Sequence, residues 1–193
     1  MYFFFDTETT GLFDFKAPAT APHQPHICQI GAIVTDEEGR TMSEFNMLCK
    51  LEGATIHPGA QAVHGITPEN CELYGAPPIS ILSTLNHMAA PCRLTIAHNR
   101  KFDAAICDAA FQRIGGQVPM NRNFTKQLGF CTMEATTDLL KLPGFKGKYK
   151  WPKLQEAYKY FFGKEFEGAH DAMLDIRATR DVFFALKARG LTV

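Results

Sequence analysis

Two acidic residues, Asp6 and Glu8, stand two positions apart where the first apolar run of the sequence ends. That run, residues 2–5, is short and aromatic, which is typical of a buried strand. Side chains two apart in a strand face the same side, so both carboxylates would lie together. Such a pair is costly to bury unless a proton or cation neutralises it, and Mg²⁺ or Mn²⁺ prefers these oxygen ligands. Alone, the pattern is weak evidence, because acids at strand ends are common.

A third carboxylate, Asp103, stands at the predicted start of a helix. Taken by itself, it is best explained as an acid that the helix dipole favours. The preceding residues include His98, which we interpret as structural, and Asn99, whose amide offers a hydrogen-bond donor to a phosphate.

His170 and Asp175 form a further pair, five residues apart. In one continuous helix they would diverge by roughly 140° around the axis. They can converge if His170 lies in the loop after Gly168 and Asp175 lies in the opening turns of the last helix. An imidazole there, with an ordinary pKa of about 6.5, suits a general base that activates water. As an isolated pair, this too is weak evidence.

The predicted elements form an α/β domain. Three early strands are followed by alternating helices and strands, which implies a mixed sheet. We predict strands over 2–5, 27–35, 41–49, 93–97 and 129–132, a short helix after Thr67, and helices over 79–88, 103–113, 133–140, 153–162 and 171–188. Residues 15–26 contain three prolines and no periodicity, so they predict a loop insertion in a single domain spanning 1–193.

Composition excludes some classes of protein. No run reaches the ~18 apolar residues that a membrane helix needs, and the first apolar run is too short for a signal peptide, so we expect a cytoplasmic protein. The six cysteines contain no C-x-x-C pair, which favours reduced structural thiols over a zinc site. The formal net charge is zero, so any contact with nucleic acid should be local.

One local basic segment leaves two interpretations open. Lys146, Lys148 and Lys150 alternate with Gly147, Tyr149 and Trp151. The segment is either a solvated loop or a groove that guides a nucleic-acid strand, with its aromatic rings as stacking faces.

Taken together, three segments resemble, in order, the motifs of the DnaQ-like, or DEDD, superfamily of 3′→5′ exonucleases. They are residues 5–12, 97–103 and 169–175. The third resembles the histidine form. The sister subgroup has tyrosine four residues before the last aspartate, whereas this sequence has Asp171 there and His170 one residue earlier. Residues 63–66 resemble the segment that lines the terminal-nucleotide pocket. Within the superfamily, the pattern is most similar to the proofreading subunit of bacterial replicative DNA polymerase and its phage-encoded relatives.

The resemblance implies an RNase H-like mixed β-sheet flanked by helices and two bound Mg²⁺ or Mn²⁺ ions. It implies that Asp6, Glu8 and Asp175 bind the metal ions and that Asp103 assists through water. It also implies that His170 is the general base. It also places Thr9 and Leu12 against the terminal nucleotide, His64 nearby, and Asn99 and Phe102 as supports of the pocket.

The function implied is a 3′→5′ exonuclease that releases 5′-mononucleotides from nucleic-acid 3′ ends, with single-stranded DNA favoured over RNA. The alternatives are an RNA-directed exoribonuclease, a catalytically silent nucleic-acid-binding module of the same fold, and a structural domain with accidental motifs. The sequence ends soon after the third motif, so we expect any association with a polymerase to lack a tethering tail.

Overall fold

The structure, a computed structural model, describes residues 1–115, 123–168 and 171–192. Its five strands are β1 (Tyr2–Thr9), β2 (Ile27–Thr35), β3 (Thr41–Leu48), β4 (Leu94–Ala97) and β5 (Gly129–Cys131). The α-helices within these ranges are α1 (Pro58–His64), α2 (Pro68–Tyr74), α3 (Pro78–Ala89), α4 (Arg100–Arg113), α5 (Thr132–Leu140), α6 (Leu154–Phe162) and α7 (Ala172–Ala188). None of these helices is long and apolar enough to cross a membrane.

The strands form one mixed sheet in the order β3-β2-β1-β4-β5. β1 pairs antiparallel with β2 and parallel with β4, β2 pairs antiparallel with β3, and β4 pairs parallel with β5. The predicted α/β class with a mixed sheet is therefore confirmed. The parallel pairing of β1 and β4 brings the carboxyl ends of these two strands to the same edge of the sheet.

β1 lies at the centre of the sheet and is buried on both faces. Phe3 and Phe5 belong to one core cluster, which includes residues of α3 and α4. Tyr2 and Phe4 belong to the other, which includes residues of α7. Since side chains alternate along a strand, this pattern assigns Asp6 and Glu8 to the α7 face and the intervening Thr7 to the α4 face.

The structure differs from the sequence prediction at three elements. β1 continues from residue 5 to residue 9, because its pairing with β2 extends to Thr9 and Ile27. α4 begins at Arg100, before Asp103, after Asn99 adopts a left-handed conformation with φ of 65°. α1 was not predicted, because none of its seven residues is buried and its sequence lacks an apolar stripe.

Candidate active site

Three carboxylates converge where β1 ends. One oxygen each from Asp6, Glu8 and Asp175 lies within 4.8 Å of the other two. Asp6 and Glu8 come from β1, and Asp175 comes from the first turn of α7. Two of the sequence motifs therefore meet at one place, as the resemblance implies.

The close approach of α7 to the sheet depends on a glycine in β2. Gly31 is the partner of Asp6 in the β1–β2 pairing. A Cβ atom at Gly31 would lie 2.6 Å from Cδ1 of the buried Ile176, the residue after Asp175. The absence of a side chain at Gly31 thus makes room for the start of α7 over Asp6.

A second contact fixes the start of α7. The Asp171 carboxylate caps the helix: its Oδ1 accepts hydrogen bonds from the backbone N–H of Met173 at 2.9 Å and of Leu174 at 3.1 Å. Such a cap satisfies donors that the first helical turn leaves open. Because Asp175 lies in this turn, the cap also positions its carboxylate.

The fourth carboxylate, Asp103, is buried in the first turn of α4. Its Oδ1 accepts one hydrogen bond from the Thr7 backbone N–H at 3.0 Å and another from Thr7 Oγ1 at 2.7 Å. Thr7 stands between Asp6 and Glu8, so these bonds hold Asp103 next to the pair on β1. The sequence offered no signal for this role of Thr7.

Burial and mutual repulsion make this cluster hard to ionise. Burial, followed by the charges of Asp103, Asp175 and Glu8, raises the pKa of Asp6 well above its ordinary value. Burial, followed by Asp175 and Asp103, raises the pKa of Glu8 to about 8. Burial also raises the pKa of Asp103 to about 7, although its hydrogen bonds with Thr7 oppose the shift. The site therefore attracts positive charge, from protons or from cations.

A cleft of about 860 Å³ opens beside Glu8. Four residues that the resemblance assigned to the substrate line it: Thr9, Leu12, His64 and Phe102. Leu12 is 90% exposed, so its side chain is available to contact a ligand. Asn99 is exposed before α4 and does not belong to the described lining of this cleft.

His57 and His64, two of the histidines that line the cleft, are engaged differently. His64 Nδ1 accepts from the Ile66 N–H at 3.0 Å, which leaves its Nε2 to donate to the Thr9 carbonyl at 3.2 Å. His64 therefore fixes the wall behind Thr9. His57, which the sequence analysis did not select, accepts from the Gly59 N–H and so caps α1.

The predicted insertion borders the same cleft through His23 and Pro25. Residues 15–26 contain turns and no helix, and strand β2 begins only after them. The side chain of the buried Gln24 links the two ends of the insertion. It accepts from the N–H of Asp14, just before the insertion, at 3.0 Å and donates to the Asp14 carbonyl at 2.8 Å. Arg113 of α4 donates to the carbonyls of Gln24 and Pro25, both at 2.9 Å.

His98 has the structural role that the sequence indicated. Its Nε2 donates to the Pro152 carbonyl at 2.9 Å, and its Nδ1 pairs with Thr132 Oγ1 at 2.9 Å. Burial lowers its pKa to about 4, so the ring is neutral at physiological pH. His170, the predicted general base, lies outside the described residues, which resume at Asp171.

With this geometry in place, the comparisons with known proteins identify the family. A family model described as exonuclease, of the RNase T type, matches residues 3–183. The chain therefore belongs to this exonuclease family, and the predicted DnaQ-like class of enzyme is confirmed. No curated protein matches the chain in sequence.

The fold is that of exonuclease I. Escherichia coli exonuclease I in complex with a dA16 oligonucleotide matches 97% of this chain with a TM-score of 0.75 and 22% identity. Its zinc-bound complex with single-stranded DNA matches 97% with a TM-score of 0.74 and 23% identity. The predicted RNase H-like fold is confirmed by these matches. The chain covers only 41% and 40% of the exonuclease I chain in those two structures.

Proposed function

We propose that the protein is a metal-dependent 3′→5′ exonuclease that releases 5′-mononucleotides from single-stranded DNA. The observation that carries this proposal is the convergence of Asp6, Glu8 and Asp175 within 4.8 Å, beside a cleft large enough for a nucleotide. Family membership supports the class of reaction. The carboxylates would form the part of the site that acts on the phosphodiester.

The donor set fits divalent cations. Carboxylate oxygens suit Mg²⁺ and Mn²⁺. Burial and then the neighbouring carboxylates raise the pKa of Glu8, and a bound cation would offset both effects by stabilising the ionised group. Asp6, Glu8 and Asp175 would hold two such ions, with Asp103 assisting through water. When bound, the ions would offset the charge of the scissile phosphate and of the departing 3′ oxygen and make water more acidic.

The protein's own residues would perform the remaining tasks. By its place in the third motif, His170 would take a proton from the attacking water, as the histidine subgroup implies. Leu12 and Phe102 would contact the terminal nucleotide from the cleft wall, while His64 keeps Thr9 in place. Thr7 would favour the ionised form of Asp103 by donating to its Oδ1.

Two observations support single-stranded DNA as the substrate. The structures with the same fold include exonuclease I bound to single-stranded DNA and to a dA16 oligonucleotide. In this chain, the insertion at 15–26 borders the cleft and would crowd a second strand there. An exoribonuclease of the same fold is the alternative substrate class, and we propose DNA on these two grounds.

A side-by-side digestion tests the proposal. Single- and double-stranded DNA and RNA of one sequence are incubated with Mg²⁺, with Mn²⁺ or with a chelator, and the products are separated by chromatography. We expect 5′-mononucleotides, released fastest from single-stranded DNA and only with a divalent cation. Binding without any product would instead identify a silent binding module, and faster digestion of RNA would identify an exoribonuclease.

A further inference from the structure

The segment between α5 and α6, residues 141–153, concentrates positive charge; we call it the lysine loop. It holds five lysines and no acidic residue in thirteen positions: Lys141, Lys146, Lys148, Lys150 and Lys153. The whole chain has 20 basic residues and a formal net charge of zero. A quarter of its basic residues therefore lie in one short segment, which makes a local attraction for a polyanion.

The lysine loop has a defined shape. The Lys150 N–H donates to the Leu142 carbonyl at 3.0 Å, and Pro143 and Tyr149 form an antiparallel bridge. The backbone passes so close to Gly144 that a Cβ there would lie 2.5 Å from the Lys148 carbonyl oxygen. At its end, Lys150 pairs with Glu156 of α6 at 2.6 Å. The loop is thus a hairpin held by backbone contacts and by one ion pair to α6.

This hairpin holds three aromatic rings at the surface. Phe145 is 81% exposed, Trp151 is 66% exposed and Tyr149 is 45% exposed. Exposed rings beside lysines are the combination by which proteins bind single-stranded nucleic acid, because ammonium groups attract phosphates and rings stack on unpaired bases. A duplex offers no unpaired base to these rings.

His98 ties the lysine loop to the catalytic end of the sheet. Its ring donates to the carbonyl of Pro152, next to Trp151. β4 runs parallel to β1, with Ile96 opposite Phe4. Two residues further along the chain from these partners stand Asp6 in β1 and His98 just past the end of β4. The end of the lysine loop at Pro152 is therefore held at the same edge of the sheet as the carboxylate cluster.

We propose that the lysine loop binds the part of a single DNA strand that lies 5′ of the nucleotide being removed. The backbone phosphates pair with the lysine side chains, and Trp151 and Tyr149 stack on bases. The direction of the bound strand, with its 3′ end at the carboxylates, rests on the proposed function. The loop then makes long substrates bind more tightly than short ones, without any part in the hydrolysis itself.

The test begins with binding in the absence of divalent cations, so that it does not depend on cleavage. Fluorescence anisotropy measures the Kd of a 5′-labelled oligothymidylate over a range of salt concentrations. For the double variant Lys146→Ala/Lys148→Ala we expect weaker binding and a salt slope smaller by about 1.4, at ~0.7 per phosphate contact. For Trp151→Ala we expect a Kd increase of roughly 5- to 150-fold, as loss of a stacked base predicts, with partial recovery in Trp151→Phe.

Matched controls lie at the opposite end of the sheet. Arg40 follows the turn after β2, beside the start of β1. Lys159 precedes Tyr160, whose hydroxyl accepts a hydrogen bond from Arg189 at the carboxyl end of α7. Their side chains are 80% and 61% exposed. The variants Arg40→Ala/Lys159→Ala and Tyr160→Ala remove the same charge and a similar ring, and should leave the Kd and the salt slope as in the wild type.

Cleavage gives the second readout. The ratio of kcat/KM for a long oligonucleotide to that for a trinucleotide should fall in the loop variants and stay unchanged in the controls. An unchanged Kd and ratio in both loop variants would overturn the proposal, and so would an equal loss on long and short substrates. Failure of the proposed function would look different: the wild type would release no mononucleotide, while the binding comparison would still decide the role of the loop.

Discussion

Thr7 donates two hydrogen bonds to a single oxygen of Asp103, one from its backbone N–H and one from its hydroxyl. The two residues are 96 positions apart, and Thr7 is flanked by both carboxylates of β1. This contact joins the first motif to the second. It also favours the ionised form of Asp103, which burial disfavours.

Replacing Thr7 tests this contact. Thr7→Val keeps the shape of the side chain but removes the hydroxyl donor, so it should destabilise the protein by about 1–3 kcal/mol. The pKa of Asp103 should rise, and more Mg²⁺ should be needed for half-maximal cleavage. Thr7→Ser retains the donor and is the control. Urea denaturation and Mg²⁺ titrations of activity measure both effects, and equal behaviour of the two variants would show that the hydroxyl contributes nothing.

The raised pKa of Glu8 predicts how stability depends on pH without metal. The group has a pKa of about 8 in the folded protein and about 4.5 in the unfolded chain. Between these values the unfolded chain loses the proton first, so its ionisation draws the protein toward unfolding as the pH rises. In a chelator, the melting temperature should therefore fall from pH 5 to pH 8.5, and Mg²⁺ should restore it at the higher pH.

Glu8→Gln isolates this contribution. The variant should lose less stability than the wild type over the same pH range, and it should gain less from Mg²⁺. Glu134→Gln, at an exposed acidic residue of α5, is the matched control and should follow the wild type. An equal fall of the melting temperature with pH in the wild type and in Glu8→Gln would refute the raised pKa of Glu8, whose causes are burial and then the neighbouring carboxylates.

His170 supplies the test of the histidine subgroup. If it is the general base, His170→Ala should reduce kcat by roughly 10²–10⁴-fold while the Mg²⁺ dependence of the melting temperature stays unchanged. The wild-type rate should rise with pH through a group that titrates near neutrality, and the variant should lose that limb. His87→Ala, at an exposed histidine of α3, should behave as the wild type. Loss of Mg²⁺ stabilisation in His170→Ala would instead make His170 a ligand.

The insertion at 15–26 should act as a partial lid that favours single strands. Replacing residues 16–22 by a short glycine turn removes its outer part and keeps the carbonyls that Arg113 binds. Activity on blunt duplexes should rise relative to single strands, with the metal requirement unchanged. Initial rates on both substrates measure this ratio. The same ratio in both proteins would reduce the insertion to a tolerated surface feature.

The sequence predicted the elements that local chemistry dictates. The aromatic run before Asp6 forms the central strand, and the apolar positions of α7 pack against it. The D-x-E spacing correctly placed Asp6 and Glu8 together, because alternation along a strand needs no knowledge of the fold. The motif order then supplied the family.

Other features depend on contacts between distant parts of the chain. The role of Gly31 follows only from the position of Ile176 across the sheet, and that of Thr7 only from Asp103. α1 has no buried residue, so its apolar pattern could not reveal it, although Pro58 after His57 was a usable start signal. The lysines near Trp151 could be counted, but their place beside the site required the bond from His98 to Pro152.

The most direct test of the central claim is a time course on a 5′-labelled single-stranded DNA oligonucleotide with Mg²⁺, using the wild type, Asp6→Asn and Asp138→Asn. Asp138 is an exposed acid of α5, and its variant is the matched control. We expect the wild type and Asp138→Asn to shorten the labelled strand one nucleotide at a time, and Asp6→Asn to leave it intact while remaining folded. Release of the label as a mononucleotide at the earliest times, or an Asp6→Asn rate equal to the wild type, would contradict the account.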